Sequence, residues 1–159
     1  MFVREGESRV DGHVRTRISA YAVAVEDDRL LLIRLSDASP VFTPGLWHLP
    51  GGGIDPGEQP VTALARELQE ETGLELADAR LVDARTYSAR RKGVSWSLTA
   101  LFYAVSLKGG VPAVTEVDGS TDAAMWIPLA DLRDDALLSP PAADALRIHE
   151  AGDVTSPLH

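Results

Sequence analysis

Short runs of apolar residues dominate the first quarter of the chain and are typical of β-strands. Residues 17–26 (RISAYAVAVE) are rich in β-branched residues and alanine, and residues 29–35 (RLLLIRL) follow after two aspartates. Two such runs separated by a short polar turn predict a β-hairpin. The second run carries few polar residues, so we expect its strand to be largely buried.

A helical period replaces this pattern after the first third of the chain. Apolar residues then recur at i, i+3, i+4 and i+7, which predicts one apolar stripe along a helix: Val61, Leu64, Ala65 and Leu68. Pro60 suits the first helical turn, and Gly73 stands where a left-handed C-terminal cap is expected. We therefore expect a helix between Pro60 and Gly73.

The rest of the chain mixes both patterns. Regular periods predict strands over residues 79–88, 95–107 and 124–129 and a helix over residues 141–152. Strands and helices without an internal repeat or a linker indicate one α+β domain over residues 1–159. We expect residues 1–16 to form an N-terminal extension or strand, and residues 153–159 a frayed tail.

Composition excludes several classes of site and partner. The sequence has no cysteine, so disulfides, thiolate metal sites and a cysteine nucleophile are excluded. The charged N-terminal segment does not resemble a secretory signal, and no apolar run is long enough to cross a bilayer, so we expect a cytoplasmic protein. A formal net charge of -9 disfavours nucleic acids and anionic membranes as partners.

Three carboxylates fall in one sector of the helical wheel, beside the apolar stripe: Glu67, Glu70 and Glu71. Their repulsion costs roughly 0.2–0.5 kcal/mol per exposed pair, which a hard cation such as Mg²⁺ or Mn²⁺ would offset. The alternative is a solvated acidic face in which Arg66 pairs with Glu70 at i+4. The helix alone supports both interpretations.

Three consecutive glycines precede this helix. Gly51, Gly52 and Gly53 are able to adopt positive φ and to expose backbone amides and carbonyls without interference from a Cβ. This predicts close contact with a ligand at Gly52 and Gly53, whereas the bland interpretation is an ordinary loop.

Taken together, residues 52–74 resemble the Nudix box, G-x5-E-x7-R-E-U-x-E-E-x-G-U, where U is aliphatic. Every defined position is filled: Gly52, Glu58, Arg66, Glu67, Leu68, Glu70, Glu71, Gly73 and Leu74. The chain is thereby identified as similar to Nudix hydrolases. The resemblance implies an α/β/α sandwich with a mixed β-sheet, in which the box forms a loop–helix–loop.

The resemblance also implies a metal-dependent site. The implied metal ligands are Glu67, Glu70 and Glu71, joined by the carbonyl of Gly51 or Gly52. Glu58 and Arg66 would orient these glutamates through charge-assisted hydrogen bonds. The expected general base is Glu67, or else a downstream acid: Glu116, Asp118 or Asp122. The alanines at Ala123 and Ala124 depart from the family pattern and leave a fourth metal ligand open.

Other residues are weaker candidates for substrate contacts. Arg34 stands where similar proteins often place a phosphate-binding arginine, and the alternative is a surface charge. A basic turn offers three more cations, Arg90, Arg91 and Lys92. Four aromatic residues would suit base stacking or the core: Trp47, Tyr87, Trp96 and Tyr103. His48, beside the glycines, is a substrate contact or a structural residue.

The expected activity is MutT-like hydrolysis of a diphosphate bond in a nucleoside diphosphate or triphosphate derivative, with a small nucleotide as partner. The alternatives are a pyrophosphatase for ADP-ribose or nucleotide sugars and a non-catalytic nucleotide-binding regulator. The cysteine-dependent isomerase mechanism known on this fold is excluded, because the chain has no cysteine. Dimers are common among similar proteins, so a homodimer is one expected assembly.

Overall fold

The computed structural model describes residues 13–114, 118–133 and 137–152. Within these residues the elements are β1 (Val14–Val23), β2 (Val25–Glu26), β3 (Arg29–Leu35), β4 (Trp47–His48), β5 (Gly51–Gly53), α1 (Pro60–Thr72), β6 (Leu76–Arg91), β7 (Val94–Leu107), β8 (Thr121–Pro128) and α2 (Pro140–Glu150). The tail predicted at residues 153–159 and most of the predicted N-terminal extension lie outside the described ranges. No helix in the described part of the chain is long and apolar enough to cross a membrane.

The strands form two four-stranded sheets. The first has the order β5-β1-β7-β6 and is mixed, because β1 runs parallel to β7 and antiparallel to β5. The second joins β2, β3 and β4, with β8 paired to β3, and its pairs are antiparallel. The predicted α+β sandwich with a mixed sheet is therefore confirmed.

The predicted N-terminal hairpin is only partly correct. The turn forms at Asp27 and Asp28, whose positive φ angles of 51° and 58° suit a two-residue hairpin turn. Of the first apolar run, however, only the short β2 pairs with β3. The run divides at Ala24, and its longer part, β1, joins the other sheet. Hydrophobic periodicity identifies a strand but does not show which sheet it joins.

Helix α1 begins and ends as predicted, but its buried face is rotated. Pro60 occupies the first turn, and Gly73 caps the end with φ 72°. Leu64 and Leu68 are fully buried, whereas Val61 is 42% exposed, so its predicted place in the stripe is wrong. Glu71 takes part in the buried face instead.

The first sheet lies between two apolar layers. On one side Leu64 of α1 packs against Ala20, Ala22 and Tyr103. The larger core lies on the other side, where residues of β1 and β7 meet β3 and α2: Tyr21, Val23, Leu98, Phe102, Leu32, Ile33, Ala145 and Ile148. Strand β5 lies at one edge of the first sheet, next to α1, and this edge carries the candidate site.

Candidate active site

Each glycine of β5 lies against a different neighbour. Gly51 has φ 138°, and a Cβ there would collide with the backbone of Ala20. A Cβ on Gly52 would collide with the carboxylate of Glu67, and one on Gly53 would lie 3.0 Å from the guanidinium carbon of Arg17. The expectation of positive φ holds only for Gly51. The other two glycines are needed because charged groups approach the backbone closely.

Glu71 is buried and ties α1 to two strands. Its side chain is 3% exposed. The Gly51 N–H donates to its Oε1 at 2.8 Å, and the Thr121 hydroxyl donates to its Oε2 at 3.2 Å. These two donors stabilise a carboxylate that is otherwise removed from water.

Arg66 links the acidic residues on the exposed side of α1. Its Nε and Nη2 donate to the two carboxylate oxygens of Glu58, each at 2.9 Å. Its Nη1 lies 3.8 Å from Glu67 and 3.6 Å from Glu70. The hydrogen bonds from Arg66 hold the pKa of Glu58 down at about 2, and Glu58 raises the pKa of Arg66. Arg66 thus lies between Glu58 and two of the box glutamates, its alternative i+4 pair with Glu70 is present, and the orienting role of Glu58 and Arg66 stays a prediction.

Two of the three implied metal ligands share one small cavity. Glu67 and Glu71 line it together with Gly51 and Gly52, and its volume is about 40 Å³. In the described part of the chain, no three acidic or histidine side chains are placed to hold a metal ion. The available donors are nevertheless hard oxygens, which Mg²⁺ and Mn²⁺ prefer, and Mg²⁺ commonly keeps waters and phosphate oxygens as further ligands. The site fits such a cation when backbone carbonyl, water or substrate completes it.

The downstream acids are separated by the fold. Asp122 accepts a hydrogen bond from Arg34 Nε at 2.7 Å. Asp118 lies with Asp122 in another cavity, lined also by Ser36 and Lys92. Glu116 lies outside the described residues. Asp118 and Asp122 therefore do not join Glu67 at the small cavity.

Arg34 and the basic turn contact protein groups. The Arg34 guanidinium lies 5.8 Å from the ring centre of Trp47, in addition to its ion pair with Asp122. Arg91 donates to the carbonyls of Ser39 and Asp37 at 2.7 Å each. Two further bonds come from the same turn, Lys92 to the Asp37 carbonyl at 3.1 Å and Arg90 to the Ser95 hydroxyl at 3.0 Å. Arg91 and Lys92 thus secure the loop after β3, and a phosphate contact by Arg34 stays a prediction.

The aromatic candidates divide between core and cavity. Tyr103 is 7% exposed and packs under α1, and the Tyr87 hydroxyl donates to Asp144 at 2.6 Å. Trp96 lines a larger cavity beside α1. His48 is buried, with its Nδ1 2.6 Å from the Ser139 hydroxyl, and burial lowers its pKa to about 3. The structural interpretation of His48 is therefore the one that the contacts support.

Sequence reasoning missed Arg17. This half-buried residue lies on β1 and lines both cavities, the small one with Glu71 and the larger one with Trp96. The larger cavity has a volume of about 880 Å³. The only available signal was an arginine at the start of an otherwise apolar strand, and no spacing rule connects it to the glutamates.

Comparisons with known proteins show which family the chain resembles in sequence and fold. A family model described as NUDIX domain matches residues 15–147. The human 8-oxo-dGDP phosphatase NUDT18 is 32% identical over 130 residues, covering 80% of this chain and 38% of that protein. Nucleoside triphosphatase NudI of Escherichia coli is 33% identical over 101 residues, covering 58% of this chain and 71% of that protein. The crystal structure of the MutT NUDIX hydrolase from Burkholderia pseudomallei has a TM-score of 0.67 and 31% identity, covering 84% of this chain and 97% of its own. The chain thus spans well under half of the human relative's length.

Proposed function

This chain belongs to the NUDIX family, and on that premise we propose that it hydrolyses a diphosphate bond in a nucleoside diphosphate or triphosphate derivative, with Mg²⁺ or Mn²⁺. One observation carries the proposal. Glu67 and Glu71 line one cavity together with Gly51 and Gly52 of β5. Arg66, which is hydrogen-bonded to Glu58, lies 3.8 Å from Glu67. The names of the relatives, which refer to nucleoside di- and triphosphates, support the same substrate class.

The cation would be held by the box carboxylates and a backbone carbonyl. Glu67 and Glu71 line the small cavity, and Gly51 or Gly52 would supply the carbonyl. Glu70, which does not line this cavity and lies 3.6 Å from Arg66, would be the third carboxylate ligand. When bound, Mg²⁺ or Mn²⁺ neutralises phosphate charge and orients a water molecule.

The protein's own residues supply position and a base. Arg66 and Glu58 restrict the carboxylates of Glu67 and Glu70 to one side of α1, which lowers the entropy lost when substrate binds. Glu67 is the proposed general base, because its carboxylate lies against Gly52 at the cavity wall. It would accept a proton from the attacking water, provided that the water approaches within hydrogen-bond distance.

A substrate panel tests this proposal directly. We expect the protein to release phosphate or a nucleotide from nucleoside di- and triphosphates, including 8-oxo-guanine derivatives, with Mg²⁺ or Mn²⁺ and not with excess chelator. Adding ADP-ribose and nucleotide sugars to the panel distinguishes the proposed activity from that of a pyrophosphatase for these two compound classes. Glu67→Gln should lose most of the turnover, whereas Glu75→Gln, an exposed carboxylate paired with Lys108, should keep it. Binding without turnover on every compound would instead identify a non-catalytic binding module.

A further inference from the structure

We propose that Arg17 binds the phosphate chain of the substrate and that the nucleoside occupies the larger cavity on the α1 side of the first sheet. This inference rests on the proposed function and adds a specificity-determining residue and a place for the nucleoside. Arg17 and Glu67 are the two residues that line both cavities. A group that spans both cavities would therefore lie beside both of these side chains.

The position of Arg17 suits an anion. Its guanidinium packs on the backbone of Gly53, where a Cβ would lie 3.0 Å from it, and the residue is half-buried. Within the described residues no hydrogen bond or ion pair occupies this guanidinium, whereas Arg34 is paired with Asp122 at 2.7 Å. An arginine presents up to five N–H donors in a planar fork that matches phosphate oxygens. Among the described residues, Arg17 therefore has all of its donors available for phosphate, whereas the Nε of Arg34 is already bound to Asp122.

Cavity size determines where the nucleoside fits. The small cavity, about 40 Å³, holds little more than one or two water molecules, while the larger one, about 880 Å³, is in the range of small-molecule sites. Its walls combine apolar and polar side chains, among them Ile18, Ile54, Trp96, Thr99 and Leu101. Such a lining fits a nucleobase and its sugar, which present flat apolar faces and polar edges.

The test measures binding by calorimetry, without turnover. The probes are α,β-methylene-GDP, in which the scissile bridge is not hydrolysed, and pyrophosphate alone, each with Mg²⁺. Arg17→Gln should weaken both probes at least tenfold, since a charge-assisted bond to phosphate is lost. Thr99→Phe, which places a bulky ring inside the larger cavity, should weaken the nucleotide at least tenfold and leave pyrophosphate within twofold of wild type.

Two further variants serve as controls. Arg15→Gln removes an exposed arginine from the same strand and should change neither affinity. Arg34→Ala tests the rival phosphate contact and should weaken pyrophosphate less than Arg17→Gln does. Thermal unfolding of each variant checks that the fold is kept, and Arg17→Lys, which keeps the charge, should recover part of the pyrophosphate affinity.

The possible outcomes separate this inference from the proposed function. Unchanged affinities in Arg17→Gln, or no binding of either probe to wild type, would overturn the assignment of Arg17. Unchanged nucleotide binding in Thr99→Phe would overturn the placement of the nucleoside. Failure of the hydrolysis panel alone would reject catalysis while these binding results still decide the role of Arg17.

Discussion

Arg66 and Glu58 form a bidentate ion pair near the start of α1, in which Nε and Nη2 of the arginine each lie 2.9 Å from a carboxylate oxygen. The Asp55 N–H also donates to Glu58 at 3.0 Å, so the carboxylate is held from two directions. Nη1 of the same arginine lies near the carboxylates of Glu67 and Glu70. The ion pair between Arg66 and Glu58 therefore helps to position these two carboxylates. Partners of this kind typically change metal affinity or activity by about 10- to 100-fold when removed.

We therefore expect Glu58→Gln to lower kcat by about 10- to 100-fold, with the fold preserved. Arg66→Lys should do the same, because an ammonium group does not reproduce the bidentate geometry. Steady-state kinetics at saturating Mg²⁺ measure the effect. Arg85→Lys is the matched control, since it alters another arginine that donates to a carboxylate, Asp83, at 2.8 Å. A Glu58→Gln enzyme with kcat within twofold of wild type would contradict the positioning role.

Glu71→Gln should reduce kcat by roughly a hundredfold or more at fixed metal, because the anion facing the small cavity is removed. Higher metal concentration should restore part of the rate. The two donors on Glu71 also lose a charged acceptor, so we expect the metal-free protein to lose about 1 kcal/mol of unfolding free energy. Chemical denaturation measures this loss. A variant with full activity would mean that Glu71 is a structural acceptor alone.

Gly52→Ala should impair catalysis through Glu67. A Cβ at this position meets the Glu67 carboxylate, so the side chain must move. No positive φ is involved, so the expected effect is a lower kcat, by about tenfold or more, rather than unfolding. Gly109→Ala is the control, because nothing lies within 4 Å of a Cβ there. Equal kinetics in the two variants would show that the position of Glu67 against Gly52 is unimportant.

Divalent metal should stabilise the folded protein. Binding to the native state alone adds about 2.7 kcal/mol at a hundredfold excess over Kd, so Mg²⁺ or Mn²⁺ should raise Tm measurably. Glu67→Gln and Glu71→Gln should each reduce this rise, whereas Glu75→Gln should not. Thermal unfolding with and without chelator measures it. The same rise in all three variants would place the cation away from the box.

The box and its helix could be predicted from the sequence because their signals are local. Pro60 and Gly73 delimit α1 as expected. The resemblance to the Nudix box singled out Glu58 and Arg66, and the structure shows these two residues hydrogen-bonded to each other. Local periodicity was wrong at Val61, which is 42% exposed, because it does not show which part of the apolar face the rest of the fold covers.

Long-range contacts could not be predicted in the same way. Thr121 reaches Glu71 across 50 positions, and no local pattern of charges or apolar residues specifies that distance. Arg17 joins the site because β1 pairs antiparallel with β5, placing Ser19 opposite Gly53. Such registers depend on how whole sheets pack. The sequence therefore revealed the helix and the glycine strand of the site, and it missed Arg17 on β1 and the contact of Thr121 from β8.

His48, on β4, connects that strand to the start of α2. Its Nδ1 lies 2.6 Å from the hydroxyl of Ser139, the residue that caps α2 by accepting from the Ala142 N–H. Its ring meets Tyr21 edge-on, with 4.8 Å between ring centres. Burial lowers the pKa of His48 to about 3, with a smaller contribution from the positive charge of Arg17. The folded protein therefore holds this imidazole neutral at pH values where an unfolded chain, with a pKa near 6.5, would protonate it.

Stability should consequently fall as pH is lowered from about 6.5 toward 3, because the unfolded state then binds a proton that the folded state excludes. One such group contributes a slope of up to about 1.4 kcal/mol per pH unit in this window and none above it. His48→Gln, which has no proton to gain, should flatten the slope by that amount, while the exposed His13→Gln should leave it unchanged. Urea unfolding at a series of pH values from 4 to 8 measures the difference. If the unfolding free energy of His48→Gln and of wild type changed with pH in parallel, His48 would be protonated in the folded protein. Its hydrogen bond with Ser139 would then come from a charged imidazolium.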